Sequence, residues 1–238
     1  MHLFDPRVWG DIEAQPAIGV SATLFAYFLA QRLHRLGGGH PLLNPTLVSI
    51  IIVALAVRGF GIAYVTYAQS AGFLTFILSP AVVVLAVPLF RQRQLVRESG
   101  RTIGAALAVG LPTGVLSAIG IAWIMGADRQ TLLSLAPKST TAGIAIGISE
   151  RIGGVPALTA VLVIMTGIVG AVTGPLIARA LGLRDHRAVG LAMGIASHGI
   201  GTARALQLGE VAGAFAGLGM GLNGVLTAIL LPVAVQLL

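Results

Sequence analysis

The chain has 238 residues, 56% of them hydrophobic and only 10% charged; a soluble domain usually carries about 25% charge, so this one cannot dress a water-facing surface. Cysteine is absent, which excludes disulfides, thiolate-held metal and cysteine nucleophiles. The formal charge of +7 raises nucleic acid as a partner, but the arginines stand at the ends of apolar segments and read as topology signals, so no nucleic acid is expected.

Asp5, Arg7, Asp11 and Glu13 precede the first apolar run. With no basic n-region and no small-residue cleavage site, that run is expected to stay in the protein. Apolar segments follow at about Ala14–Leu36, Pro41–Val57, Phe73–Phe90, Thr102–Met125, Leu132–Ile148, Val155–Ala180, Ala188–Leu208 and Val211–Leu238. The more polar and aromatic stretch Tyr64–Gly72 is expected at a membrane interface. Four stretches lack any charge, Gly59–Phe90, Thr102–Ala127, Ile152–Ala178 and Val211–Leu238; each exceeds the roughly 20 residues that span a hydrocarbon core as helix. Gly110–Gly114, Gly170–Gly174, Gly213–Gly217 and Gly217–Gly221 stand at GxxxG spacing, which suits close helix packing in lipid. The expected fold class is an all-α polytopic membrane protein: a single transmembrane domain, 1–238, multi-pass in the cell inner (plasma) membrane. About six full spans and two or three interrupted segments are expected.

Three connections are basic: Gln31–His40 (Arg32, Arg35), Arg91–Arg101 (Arg91, Arg93, Arg97, Arg101) and Arg179–Arg187 (Arg179, Arg184, Arg187 against Asp185). The positive-inside rule places all three in the cytoplasm. The third reaches that side only if Leu132–Ile148 enters and leaves the membrane on the outer face, as a re-entrant hairpin. Sliding the chain by sixty residues also aligns Val109-Gly110 with Val169-Gly170, Thr113-Gly114 with Thr173-Gly174, Lys138 with His198 and Glu150 with Glu210. Inverted repeats at about 101–154 and 161–214 are the expectation, a transporter-like bundle whose interrupted helices meet near the bilayer midplane.

Two interruptions carry the polar groups. In Ala136-Pro137-Lys138-Ser139-Thr140-Thr141, Lys138 is the sole lysine of the chain. A charge inside an apolar segment costs about 2.5 kcal/mol or more unless it meets water, a partner or a ligand. It either snorkels to the interface or supplies positive charge to a carboxylate, helped by Ser139, Thr140, Thr141 and freed backbone N–H groups. In Ser197-His198-Gly199-Ile200-Gly201-Thr202-Ala203-Arg204, Gly199 and Gly201 release the backbone while Ser197, His198 and Thr202 offer hydrogen bonds. An imidazole ordinarily titrates near neutrality, so His198 suits anion binding or proton relay as well as a plain helix–helix hydrogen bond. Arg204 serves as ligand contact or interfacial anchor. Asn44 and Asn223 are read as interhelical hydrogen-bonders, and with Pro80 as supporting residues; Glu150 and Glu210 are expected to pair with Arg151 and Arg204. No hydrolase or nucleotide motif occurs, and no metal or cofactor is expected.

The motifs Pro41-Leu42-Leu43-Asn44-Pro45, Ser79-Pro80-Ala81, Leu85-Ala86-Val87-Pro88-Leu89, Pro137-Lys138-Ser139, Gly153-Gly154-Val155-Pro156-Ala157-Leu158-Thr159-Ala160, Gly190-Leu191-Ala192-Met193-Gly194 and Ala196 to Ala205 together resemble the LrgB/CidB family. The resemblance includes YohK-like proteins and the membrane portion of the plastidal glycolate/glycerate translocator, and runs from Pro41 to the end. Departures are Gly143 where the family has Pro, Ser79 where it has Gly, and Phe90 where it has Tyr. The resemblance implies one of two roles. The first is transport of small carboxylates such as pyruvate, glycolate or glycerate, without enzymatic turnover. The second is an antiholin-like role in murein hydrolase export and autolysis, alongside a small LrgA/CidA-type membrane partner. It also admits a homo-oligomer in the lipid bilayer.

Overall fold

The computed structural model describes residues 15–38, 43, 45–74, 76–77, 84 and 86–237. Asn44, Pro80 and part of the expected span Phe73–Phe90 lie outside the described residues. Contacts divide the chain into two compact units, Met1–Val84 and Leu85–Leu238. All regular structure among the described residues is helical.

In the first unit, α1 (Pro16–Leu36) packs on both α2 (Pro45–Gly59) and α3 (Tyr64–Ser70). Pro16 opens α1, where its fixed φ suits a first turn and its missing N–H leaves nothing unsatisfied. Gly19 lets α3 approach: a Cβ there would lie 2.5 Å from the Ser70 carbonyl carbon. Thr23 Oγ1 joins the two helices through the Tyr67 hydroxyl at 2.8 Å. The polar-aromatic stretch expected at an interface is thus a short helix folded back on α1.

The second unit runs α4 (Ala86–Arg91), α5 (Arg93–Glu98), α6 (Gly100–Ile124), α7 (Arg129–Leu135), α8 (Ala142–Ile152), α9 (Pro156–Ala180), α10 (His186–Leu208) and α11 (Glu210–Gln236). Among the described residues α6, α9 and α11, of 25, 25 and 27 residues, are long and apolar enough to cross a membrane; at 1.5 Å per residue each exceeds the ~30 Å hydrocarbon core. Their outer faces leave large apolar side chains uncovered, among them Leu116 (67% exposed), Val161 (57%) and Ile229 (59%), the surface a lipid-facing helix presents. The protein is an all-α, multi-pass membrane protein.

Between these helices stand the interrupted elements. α7 has 7 residues and α8 has 11, about 10 and 16 Å of helix, so neither can cross; they form a helical hairpin where Leu132–Ile148 was expected to turn back. α10 is broken within at His198 (φ 43°, ψ −134°). Its first half packs against α11 backbone to backbone, because a Cβ at Gly190 or Gly194 would run into the carbonyls of Ala212 and Ala216. Small residues make this closeness available where lipid supplies no hydrophobic drive. Ile103, Leu107, Leu191, Ile195 and Phe215 form the apolar core beside it.

Candidate functional site

The first break begins with a well-anchored helix. Asp128 caps α7 by accepting from the Thr131 N–H at 3.0 Å; the Thr131 side chain first, and its N–H second, hold the carboxyl below the usual range. Pro137 follows the last turn and lacks the N–H that would continue it. The chain turns instead: Lys138 N–H reaches the Leu135 carbonyl at 3.1 Å and Thr140 N–H the Pro137 carbonyl at 3.0 Å. The Thr140 hydroxyl donates to that same carbonyl at 2.9 Å and is 1% exposed. Thr141 then caps α8 without a side-chain hydrogen bond, leaving first-turn amides free for another acceptor.

A set of fully buried hydroxyls holds this hairpin in place. Ser134 Oγ donates to the Gln130 carbonyl at 2.7 Å and accepts from the Val155 N–H at 2.7 Å. Thr159 Oγ1 sits 2.9 Å from the Ser134 carbonyl and 2.7 Å from Ser149 Oγ. Ser134, Ser149 and Thr159 are each 0% exposed. Sequence reading passed over all three, because a serine or threonine in an apolar helix is ordinary. The signal beside them was the Gly153-Gly154-Val155-Pro156 motif: a Cβ on Gly154 would lie 3.0 Å from the Ser134 nitrogen.

The second break turns its side chains toward α9. His198 Nε2 lies 2.9 Å from the Val163 carbonyl; a carbonyl only accepts, so Nε2 carries the hydrogen. Gly167 makes room for the ring, since a Cβ there would be 2.6 Å from His198 Cε1, and Gly170 likewise receives Ser197. Thr202 Oγ1 donates to the freed His198 carbonyl at 2.8 Å. Gly201 stacks on Met193 and Ser197, where a Cβ would lie 2.6 Å from the Met193 carbonyl oxygen; Gly199 is half-buried. Arg204 stands apart, donating to Gln207 Oε1 at 2.7 Å. The expected ion pair of Glu210 with Arg204 is not formed: Glu210 Oε1 meets Arg91 Nη1 at 3.7 Å.

Asn223, on α11, ties the two breaks together. Its Nδ2 donates to the Ser139 carbonyl at 3.1 Å and to the Ile195 carbonyl at 3.2 Å, and the residue is 2% exposed. Both amide hydrogens are thereby spent on backbone oxygens, one beside each interruption.

Beside Asn223 lies a cavity of about 380 Å³, bounded by Thr102, Gly110 and Gly114 of α6, Lys138, Ser139 and Thr140 of the first break, Ala192 and Ile195 of α10, and Thr227 of α11. Its volume falls in the ~300–1,000 Å³ range of small-ligand sites. Lys138 Nζ is 3.2 Å from Ser139 Oγ, and among the described residues no carboxylate borders the cavity. Among the described residues, ion pairs join Arg91 to Glu210 and Arg187 to Asp185, and neither involves Lys138. Of the residues singled out in the sequence, the cavity gathers Lys138, Ser139, Thr140 and Asn223. Ser197 and His198 are buried on the α9 side of the kink, against Gly170 and the Val163 carbonyl; Thr202 is buried on the His198 carbonyl and Met220; Thr141 is half-buried at the α8 cap. No set of His, Asp and Glu among the described residues is arranged to hold a metal ion.

Comparison with known proteins gives a consistent result. The model of the LrgB-like family matches residues 23–237. A holin-like protein CidB of Staphylococcus epidermidis is 30% identical over 223 residues, 94% of this chain and 97% of that protein. Protein YxaC of Bacillus subtilis is 36% identical over 197 residues, 83% and 86% of the two chains. An antiholin-like protein LrgB of Bacillus cereus is 29% identical over 217 residues, 91% and 94% of the two. No solved structure matches significantly.

Proposed function

The chain belongs to the LrgB-like family, and from that premise we propose that it passes a small organic anion, a monocarboxylate, across the cell membrane without chemical turnover. One observation carries this reading: the sole lysine of the chain borders a ligand-sized, carboxylate-free cavity between membrane helices. A cation so placed needs a counter-charge, and a carboxylate entering the cavity supplies it. Lys138 is the electrostatic anchor, and the Ser139 hydroxyl together with the α8 amides donates hydrogen bonds, the Thr140 hydroxyl being engaged on the Pro137 carbonyl. The apolar walls of α6 and α10 accommodate a short carbon chain and reject a heavily hydrated dianion. Ser197, His198 and Thr202 shape the second break and set the carbonyls that face Asn223. Alternating access is movement of the two breaks, with α11 between them, relative to the rest of the second unit.

Uptake of labelled pyruvate or glycolate into proteoliposomes tests the reading. Lys138→Ala is expected to lower uptake at least tenfold and Lys138→Arg to retain part of it, about the size of one lost charge-assisted contact. Unchanged uptake by Lys138→Ala removes the anchor and the proposal with it.

A second reading has the relatives' names in its favour, holin-like for CidB and antiholin-like for LrgB. These back it more directly than they back carboxylate passage. In it, the chain regulates murein hydrolase export and autolysis by assembling with a small LrgA/CidA-type membrane protein. It requires a stable hetero-oligomer and altered lysis on deletion, with no saturable flux. What it leaves unaccounted for is the unpaired lysine on an internal cavity.

A further inference from the structure

A second polar cavity, of about 560 Å³, opens where α9 ends and α10 and α11 begin. Arg179, Arg184 and His186 border it, against an apolar wall that includes Pro175, Val189 and Leu208. Among the described residues no carboxylate lines it. The adjacent acids are already engaged: Asp185 Oδ2 accepts from Arg187 Nη2 at 2.8 Å, and Glu210 meets Arg91 at 3.7 Å. Arg187, so occupied, does not add to the cavity's free charge. Two arginines and a histidine thus line a concave, half-apolar site that has no acidic residue among its described lining. We propose that this cavity binds a phosphate-bearing anion, held bidentately by Arg179 and Arg184 with His186 as a third donor. A topology signal needs only positive charge near the membrane end of a helix and no cavity. A concavity with apolar walls and planar, phosphate-matching donors matches recognition of a phospholipid headgroup or a soluble phosphate ester. The site is separate from the Lys138 cavity and does not depend on what crosses there.

The test uses the full chain purified in a neutral detergent, with thermal stability read against added ligand at constant ionic strength. The probes are a short-chain phosphatidylglycerol, the matched phosphatidylcholine and inorganic phosphate. Wild type is expected to gain stability with phosphatidylglycerol over phosphatidylcholine. In Arg179→Gln/Arg184→Gln the apparent affinity should fall about tenfold or more, the size of one lost charge-assisted fork. The charge-matched pair Arg97→Gln/Arg101→Gln, on another basic connection, should leave it unchanged. Stabilisation by inorganic phosphate alone, with the same dependence on variants, supports the cavity and makes a soluble ester its source. Equal losses in the two double variants, or no shift with either phosphate probe, would overturn the proposal.

Discussion

Asn223 carries more than its size suggests. A carboxamide has two donor hydrogens, and here both meet carbonyls that a regular helix would have paired internally. Asn223→Ala should therefore cost about 1–3 kcal/mol, the penalty for stranded buried acceptors, read as a lower unfolding temperature in detergent. Asn223→Asp loses both donors at constant size and should fare no better, which separates hydrogen bonding from packing. In the sequence Asn223 shows only as a polar residue in an apolar helix, enough to suggest an interhelical bond. Its partners stand 84 and 28 positions away, a pairing no local pattern encodes. Lys138 was legible for the opposite reason, since a lone cation among apolar neighbours stands out without any contact being known.

At the scale of elements, glycines decide where interruptions fit. The Gly170–Gly174 spacing reads in the sequence as a general helix-packing stripe. The structure gives Gly167 and Gly170 a narrower task, making room in α9 for His198 and Ser197. Gly167→Ala should push the imidazole off the Val163 carbonyl and destabilise by about 1–3 kcal/mol, as overpacking does; a crosslink or exchange measurement at the kink should show α10 loosened. A similar alanine at Gly104, which faces open space, should be neutral. The break between residues 132 and 148 was readable as an interruption: two helices too short to cross flank the polar stretch 137–141. The direction of the His198 side chain was not readable, because periodicity fails where the backbone leaves helical geometry. At the start of α10, Asp185 has its carboxyl held below the usual range, chiefly by the Arg187 side chain and backbone N–H. A depressed acid stabilises above its ordinary pKa of 3.8 and stops doing so as pH falls through its folded value. Asp185→Asn should accordingly lower stability at pH 7, where the carboxylate is engaged, and change little below its folded value, flattening the acid limb of the stability profile, a comparison that pH-resolved melting would make.

For the molecule as a whole, composition settled the solvent before any motif was found. A chain with 10% charge turns Leu116, Val161 and Ile229 outward, which is stable only in lipid. The two functional readings part at this scale as well. A carrier holds an internal cavity whose one charge is indispensable, whereas a partner-dependent regulator needs outer helix faces and tolerates loss of that charge. Measuring flux and partner association on wild type and Lys138→Ala separates them: flux lost in the variant favours passage of an anion, and association intact in both with no saturable flux in either favours the regulator.

Because Lys138 is the single lysine of the chain and borders the cavity, its ε-amine is, apart from the α-amino group, the protein's one site for amine-directed chemistry. A small acylating or amidinating reagent therefore addresses a single interior position without mutagenesis. Protection of that amine by a candidate solute would reveal cavity occupancy through a mass increment alone, in a protein for which no flux need ever be observed.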